Sequence, residues 1–168
     1  MTAGTTVWRI DRVAWDDPRA ARLRESMDAE LSPRYADRFA EFESRQDVSA
    51  DDFAVHAETI VATVLAVDDD GVPVGHAALR RLGDDLEVKR VFVDPAARGT
   101  GASRALMVEL ENIGRAAGAS RLILQTGDRQ PEAVALYTGI GYSPIPIFPP
   151  YTPYAFSLCF EKRLVPAS

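Results

Sequence analysis

The sequence predicts an α/β (α+β) domain built on a mixed, mostly antiparallel sheet flanked by helices. Three observations carry this. Three strand-like runs between Thr59 and Val93 are joined by short Asp/Gly turns, so they form an antiparallel meander. A strongly patterned helix follows, with Ala102, Leu106, Leu110, Ile113 and Ala117 in one apolar stripe and Arg104, Glu109, Glu111 and Arg115 off it. Further strands come after that helix, so strands lie on both sides of it in the chain.

The elements follow in order. Val7 to Val13 reads as a first strand. Asp17-Pro18 starts a helix, with aspartate as N-cap and proline at the first helical position. Ala20, Leu23, Met27 and Leu31 recur at helical spacing, and Ser32-Pro33 is expected to break that helix. A second short helix is expected over Arg34 to Glu43, then a polar connection over residues 44–57. Thr59–Val67, Val72–Leu82 and Leu86–Val93 are the meander strands, with Pro73 expected at a strand start. Gly118 stops the patterned helix, and Arg121 to Thr126 is a short buried strand. Pro131 opens a last helix with Ala133, Leu136, Tyr137 and Ile140 on one face, ended by Gly141. A stretch rich in proline and aromatics precedes a closing strand, Phe156 to Arg163.

Length and composition bound the rest. A chain of 168 residues suggests one domain, 1–168, with a core large enough to fold alone. No apolar run approaches the roughly 20 residues that span a bilayer, so no membrane role is expected. The N-terminus MTAGTTVWRIDRV has no basic segment followed by an apolar one, so no signal peptide is expected. The single cysteine, Cys159, excludes an internal disulfide and fits a reducing cytoplasm. Net charge is −6 with no basic block, which argues against nucleic acid. His56 and His76 lack metal-ligand spacing, and no metal site is expected. Trp8, Trp15 and Cys159 read as packing residues.

The segment 86–103 carries most of the functional information. A strand runs into Arg98-Gly99-Thr100-Gly101 and then into a helix N-terminus. Glycines let backbone approach an anion, and the free N–H groups and dipole of the first helical turn favour a pyrophosphate. The dinucleotide pattern G-x-G-x-x-G and the triphosphate pattern ending in Gly-Lys-Ser/Thr are both absent.

With these residues in view, the chain resembles the GNAT superfamily of acyl-CoA-dependent N-acyltransferases. The family's pyrophosphate motif corresponds to Arg98, Gly99, Thr100, Gly101, Ala102 and Ser103, with Ser103 a departure at the last position. Residues 129–137 with Gly141-Tyr142 look like its last helix and following strand. The resemblance implies a splay between strands 4 and 5 that holds acetyl-CoA. Val91, Phe92 and Val93 would then offer backbone groups to the pantetheine arm and thioester. It implies acetyl transfer to a primary amine of a small molecule or peptide, by direct attack through a tetrahedral intermediate, and it admits a homodimer. Glu87 is the candidate base and Tyr137 the candidate acid for the leaving thiolate. On the acceptor side the resemblance points to residues 31–42 and 145–154. There Glu41 and Glu43 would attract a cation, and Tyr35, Tyr151 and Tyr154 would line a slot. The alternative in a different class is a non-catalytic acyl-CoA-binding sensor or partner module.

Overall fold

A computed structural model describes residues 7–165. The first six residues, read above for a leader, lie outside that range. The elements are β1 (Arg9–Val13), α1 (Pro18–Phe42), β2 (Ile60–Val67), β3 (Pro73–Leu82), β4 (Asp85–Val93), α2 (Ala102–Ala116), β5 (Arg121–Gly127), α3 (Pro131–Gly139), β6 (Ser143–Ile145) and β7 (Ser157–Arg163). They build one seven-stranded sheet in the order β1-β2-β3-β4-β5-β7-β6. Every neighbouring pair is antiparallel except β4–β5, whose parallel direction follows from the α2 crossover.

Both faces of the sheet are covered, which is why β2 reads IVATVLAV instead of alternating. Ala62, Val64 and Ala66 pack with Leu106, Met107 and Leu110 of α2. Leu65 and Val67 turn the other way, onto Ala20 and Leu23 of α1. Pro73 begins its strand as expected, and Gly118 adopts a left-handed φ of 80° just past α2. Gly141 does the same past α3 at φ 99°, and the Tyr142 N–H closes the helix onto the Tyr137 carbonyl at 2.9 Å.

Two expectations need correction. Ser32-Pro33 does not break the first helix: α1 runs on through Pro33 to Phe42. A proline inside a helix costs about 3 kcal/mol, and here both halves are held by tertiary contacts that offset it. Upstream, Ala20 and Leu23 are in the core. Downstream, Arg34 pairs with Glu132, Arg38 with Asp128 and Asp37 with Arg129, while Tyr35, Phe39 and Phe42 join an aromatic cluster with Phe53, Tyr154 and Phe156. The second correction is β6, a three-residue edge strand inside the stretch read as irregular. Pro144 is tolerated there because an edge strand has one unpaired side.

Candidate active site

The sheet opens where β4 and β5 part. Their ladder holds only Leu86↔Leu122, Glu87↔Ile123 and Val88↔Leu124, although β4 continues to Val93 and β5 to Gly127. A bulge in β4 accompanies the opening: His76 pairs with Phe92 and Ala78 with Lys89, so Arg90 and Val91 face a single residue of β3. Arg90 takes a left-handed φ of 59° there, which is rare outside glycine. Its carbonyl accepts from Nδ1–H of the fully buried His76 at 2.8 Å, leaving Nε2 to accept from Arg24 Nη1 at 3.0 Å. Its guanidinium reaches Asp28 at 2.7 Å and the Arg24 carbonyl at 3.0 Å. The bulge is therefore pinned to α1 from both sides.

His76 gives a pH prediction. Burial, with the charges of Arg24 and Arg90, pushes its pKa down to about 4 from 6.5. Between those values the unfolded chain binds a proton that the folded chain refuses, so stability falls as pH drops from 6.5 toward 4. The full depression is worth about 3 kcal/mol at roughly 1.4 kcal/mol per tenfold. Urea midpoints across that range should drop more steeply for the native protein than for His76→Gln, which keeps a donor and an acceptor without the charge.

Two cavities meet at the splay. The first, of about 230 Å³, is lined by Val91, Phe92 and Val93 and runs to Ala97, Arg98, Gly99, Ala102 and Ser103. The second, of about 280 Å³, runs under α1, with Tyr35, Phe39, Phe53 and Phe156 as aromatic walls and Lys89, Arg90 and Thr126 among its polar lining. Val91, Tyr137, Ala133, Gln130, Met27 and Leu31 line both, so the two cavities adjoin.

The far end of the first cavity fits an anion. Gly101 caps α2 with backbone only, at φ 88°, and no side chain satisfies the first-turn N–H groups. Gly99 is also left-handed, at φ 77°, and a Cβ on either glycine would meet nothing within 4 Å, so the space above the turn is open. Thr100 and Gly101 shape the turn without lining the cavity. Trp8 braces it from β1's side, its Nε1–H donating to the Thr100 carbonyl at 3.1 Å. Arg98 is occupied, bound by Glu30 at 2.7 Å and by the Val93 carbonyl at 3.0 Å, which leaves the backbone as the free donor set.

Tyr137 sits at the junction, 7% exposed, packed edge-on against Tyr142. Burial pushes its phenol pKa up, so it keeps its proton at working pH.

The other candidates fall differently. Glu87 lines neither cavity. It is fully buried, with Arg80 Nε on one oxygen at 2.7 Å and the Tyr151 hydroxyl on the other at 2.8 Å. It lies opposite Arg80 in the β3–β4 register and beneath Tyr151 of the 146–156 loop. Tyr151 is fully buried over that carboxylate. Tyr154 is 2% exposed, packed on Phe53 and bonded to Asp52 at 2.6 Å. Both are packing residues with their hydroxyls engaged, because the proline-rich loop folds inward. Glu41 and Glu43 are exposed on the solvent side at the end of α1, away from the cleft. Of the acceptor candidates, Tyr35 alone lines the second cavity, its ring closed against Gly127 and its hydroxyl donating to Gln130 at 3.1 Å.

Lys89, Thr126, Phe53 and Phe156 were not singled out from sequence. Lys89 stood one strand period from Glu87, the only signal that it shares that face. Among the described residues no cluster of histidine, cysteine or acidic side chains could hold a metal.

Comparison with known proteins decides the family. The acetyltransferase (GNAT) family model matches residues 11–142, most of the chain. The chain belongs to the GNAT acetyltransferase family. An IAA acetyltransferase of Azospirillum brasilense is 43% identical over 93 residues, covering 55% of this chain and 61% of that protein. The chain thus spans less than two thirds of that relative. A solved protein of Klebsiella pneumoniae subsp. pneumoniae MGH 78578, described as a candidate acyl-CoA N-acyltransferase, superposes with TM-score 0.74 at 28% identity, over 95% of this chain and 99% of that one. PaiA N-acetyltransferase of Thermoplasma acidophilum, solved with coenzyme A, shares the fold at TM-score 0.67 and 16% identity, over 94% and 99% of the two chains. No helix among the described residues is long and apolar enough to cross a membrane.

Proposed function

We propose that this GNAT protein transfers the acetyl group of acetyl-CoA to a primary amine by direct attack. The observation that carries the reading is the pair of adjoining cavities, with an uncapped helix N-terminus at one end, an aromatic slot at the other and Tyr137 lining both. Pyrophosphate lies on the 98–103 turn, and the pantetheine arm follows Val91–Val93, where β4 has lost its β5 partner. A β4 backbone N–H there supports the oxyanion as the amine nitrogen attacks the thioester carbonyl. The C–S bond then breaks, and Tyr137 donates its proton to the departing thiolate. Its phenolate recovers a proton from solvent, and the ammonium proton of the acceptor is released to water.

No carboxylate base is needed at the nitrogen. Lys89 places positive charge along the acceptor cavity, and like charge favours the neutral, nucleophilic form of the amine. The protonated phenol at the junction supports an enzyme over a binding module. The test is a panel of amines with acetyl-CoA, read by free thiol and by the mass of the amide. One thiol released per amide formed supports transfer. Tight CoA binding without thiol release from any amine would leave a binding module.

A further inference from the structure

The second cavity has an electrostatic and a hydrogen-bonding imbalance that selects among amines; the argument rests on the transfer reading above. Arg80 and Lys89 share a single buried carboxylate, Glu87, which lies 2.7 Å from Arg80 Nε and 3.9 Å from Lys89 Nζ. Two cations against one anion leave an excess positive charge in a dry place. Lys89 is the member of the trio that lines the cavity. Its ammonium donates to the neutral Tyr151 hydroxyl at 2.8 Å, and an ammonium has two further donors to give. Arg90 adds nothing to the excess, because Asp28, which also lines the cavity, pairs with it at 2.7 Å.

A second observation points to the same space. The Thr126 hydroxyl, on β5 across the opening, is buried with no hydrogen-bond partner among the described residues, and the residue lines the cavity. A buried unpartnered hydroxyl costs about 1–3 kcal/mol, a cost that a bound acceptor atom would remove once a χ1 rotation turns the hydroxyl toward the cavity. The apolar walls combine aromatic rings with Met27, Leu31 and Val91, and Asp28, Gln125 and Gln130 add further polar lining. Phe39 keeps 44% of its surface exposed, so this wall is not finished by the protein itself.

We propose that the acceptor is a primary amine carrying both a carboxylate and a flat apolar group, with Lys89 receiving the carboxylate, Thr126 bonding to its polar end and the aromatic walls holding the apolar group. The charge logic is two-sided. A carboxylate completes the neutralisation that Glu87 leaves half done, whereas a polyamine would add cations to a cationic wall.

Phenylalanine, phenethylamine and spermidine are the probes. With acetyl-CoA, phenylalanine should give a kcat/KM at least tenfold above phenethylamine, and spermidine should be the poorest. Lys89→Met keeps the side-chain volume and leaves Glu87 paired one to one with Arg80, so the variant should fold. It should bring the phenylalanine-to-phenethylamine ratio close to one. Thr126→Val should raise the KM for phenylalanine several-fold. Calorimetry of CoA-loaded protein with N-acetylphenylalanine and N-acetylphenethylamine reads the same preference without turnover. Should neither amine be acetylated while N-acetylphenylalanine alone binds, in a Lys89-dependent way, the transfer reading fails and the carboxylate site stands. Equal binding of the two N-acetyl compounds, no binding of either, a preference for phenethylamine or spermidine, or a ratio that survives Lys89→Met overturns the proposal.

Discussion

Glu87→Gln should lower the stability of the protein by about 3–5 kcal/mol, the size expected when one partner of a buried ion pair is removed. Among the described residues the carboxylate is the only anion bonded to Arg80; it lies 3.9 Å from the Lys89 ammonium, and none of the three reaches solvent freely. An amide of the same shape keeps one acceptor but leaves two cations unneutralised in a low dielectric. Lys89→Met should behave in the opposite sense. Burial pushes the Lys89 pKa down to about 8 from 10.5, partly opposed by Glu87. The unfolded chain therefore binds a proton more readily than the folded chain between pH 8 and 10.5, and holding the ammonium costs stability fully below pH 8. Removing it should leave the protein at least as stable as the native form at pH 7. Urea unfolding of both variants gives the comparison. A Glu87→Gln protein that melts with the native form and loses only turnover would return Glu87 to a direct part in proton transfer.

Gly101→Val should weaken binding of coenzyme A by at least about a hundredfold, roughly 2.7 kcal/mol or more. Gly101 holds φ 88° at the entry to α2, a conformation that a β-branched residue adopts at a cost of about 1–3 kcal/mol. The space above the turn is empty of protein, so the new side chain would occupy the position proposed for phosphate. The core side of α2, with Ala102 and Leu106 buried, is not touched. Circular dichroism should therefore stay native while calorimetry records the loss. S-acetylpantetheine, which lacks the pyrophosphate, separates the causes. Its turnover should be nearly the same for both proteins if the damage is confined to the phosphate turn. Unchanged CoA affinity in a folded variant would remove the pyrophosphate from this turn.

The glycine turn proposed to hold the cofactor was legible in the sequence because it is made of backbone. Gly99 and Gly101 at left-handed angles, a strand before and an amphipathic helix after are local features with local signatures. The meander and the α2 stripe were equally local, and their boundaries lie within a few residues of the structure. The acceptor end was not legible, because it is assembled from distant segments. Lys89 on β4, Thr126 on β5, Phe39 on α1 and Phe156 before β7 come together only through the fold. The same remoteness explains why the burial of Glu87, Tyr151 and Tyr154 was not legible in the sequence. Nothing in residues 144–154 announces that this loop folds inward and caps a buried carboxylate, and an aromatic loop reads equally well as an open slot. Pro33 shows the other direction of failure: a strong local breaker was overridden by contacts on both sides of it.

The most direct test of the account is the turnover of Tyr137→Phe, measured by thiol release with a saturating amine. The substitution keeps the ring packed against Tyr142 and Phe160 and deletes the proton at the junction of the two cavities. The account predicts a fall in kcat of at least about tenfold with the KM for acetyl-CoA changed less than about twofold. A native kcat in the folded variant would contradict it and leave Tyr137 as a core residue.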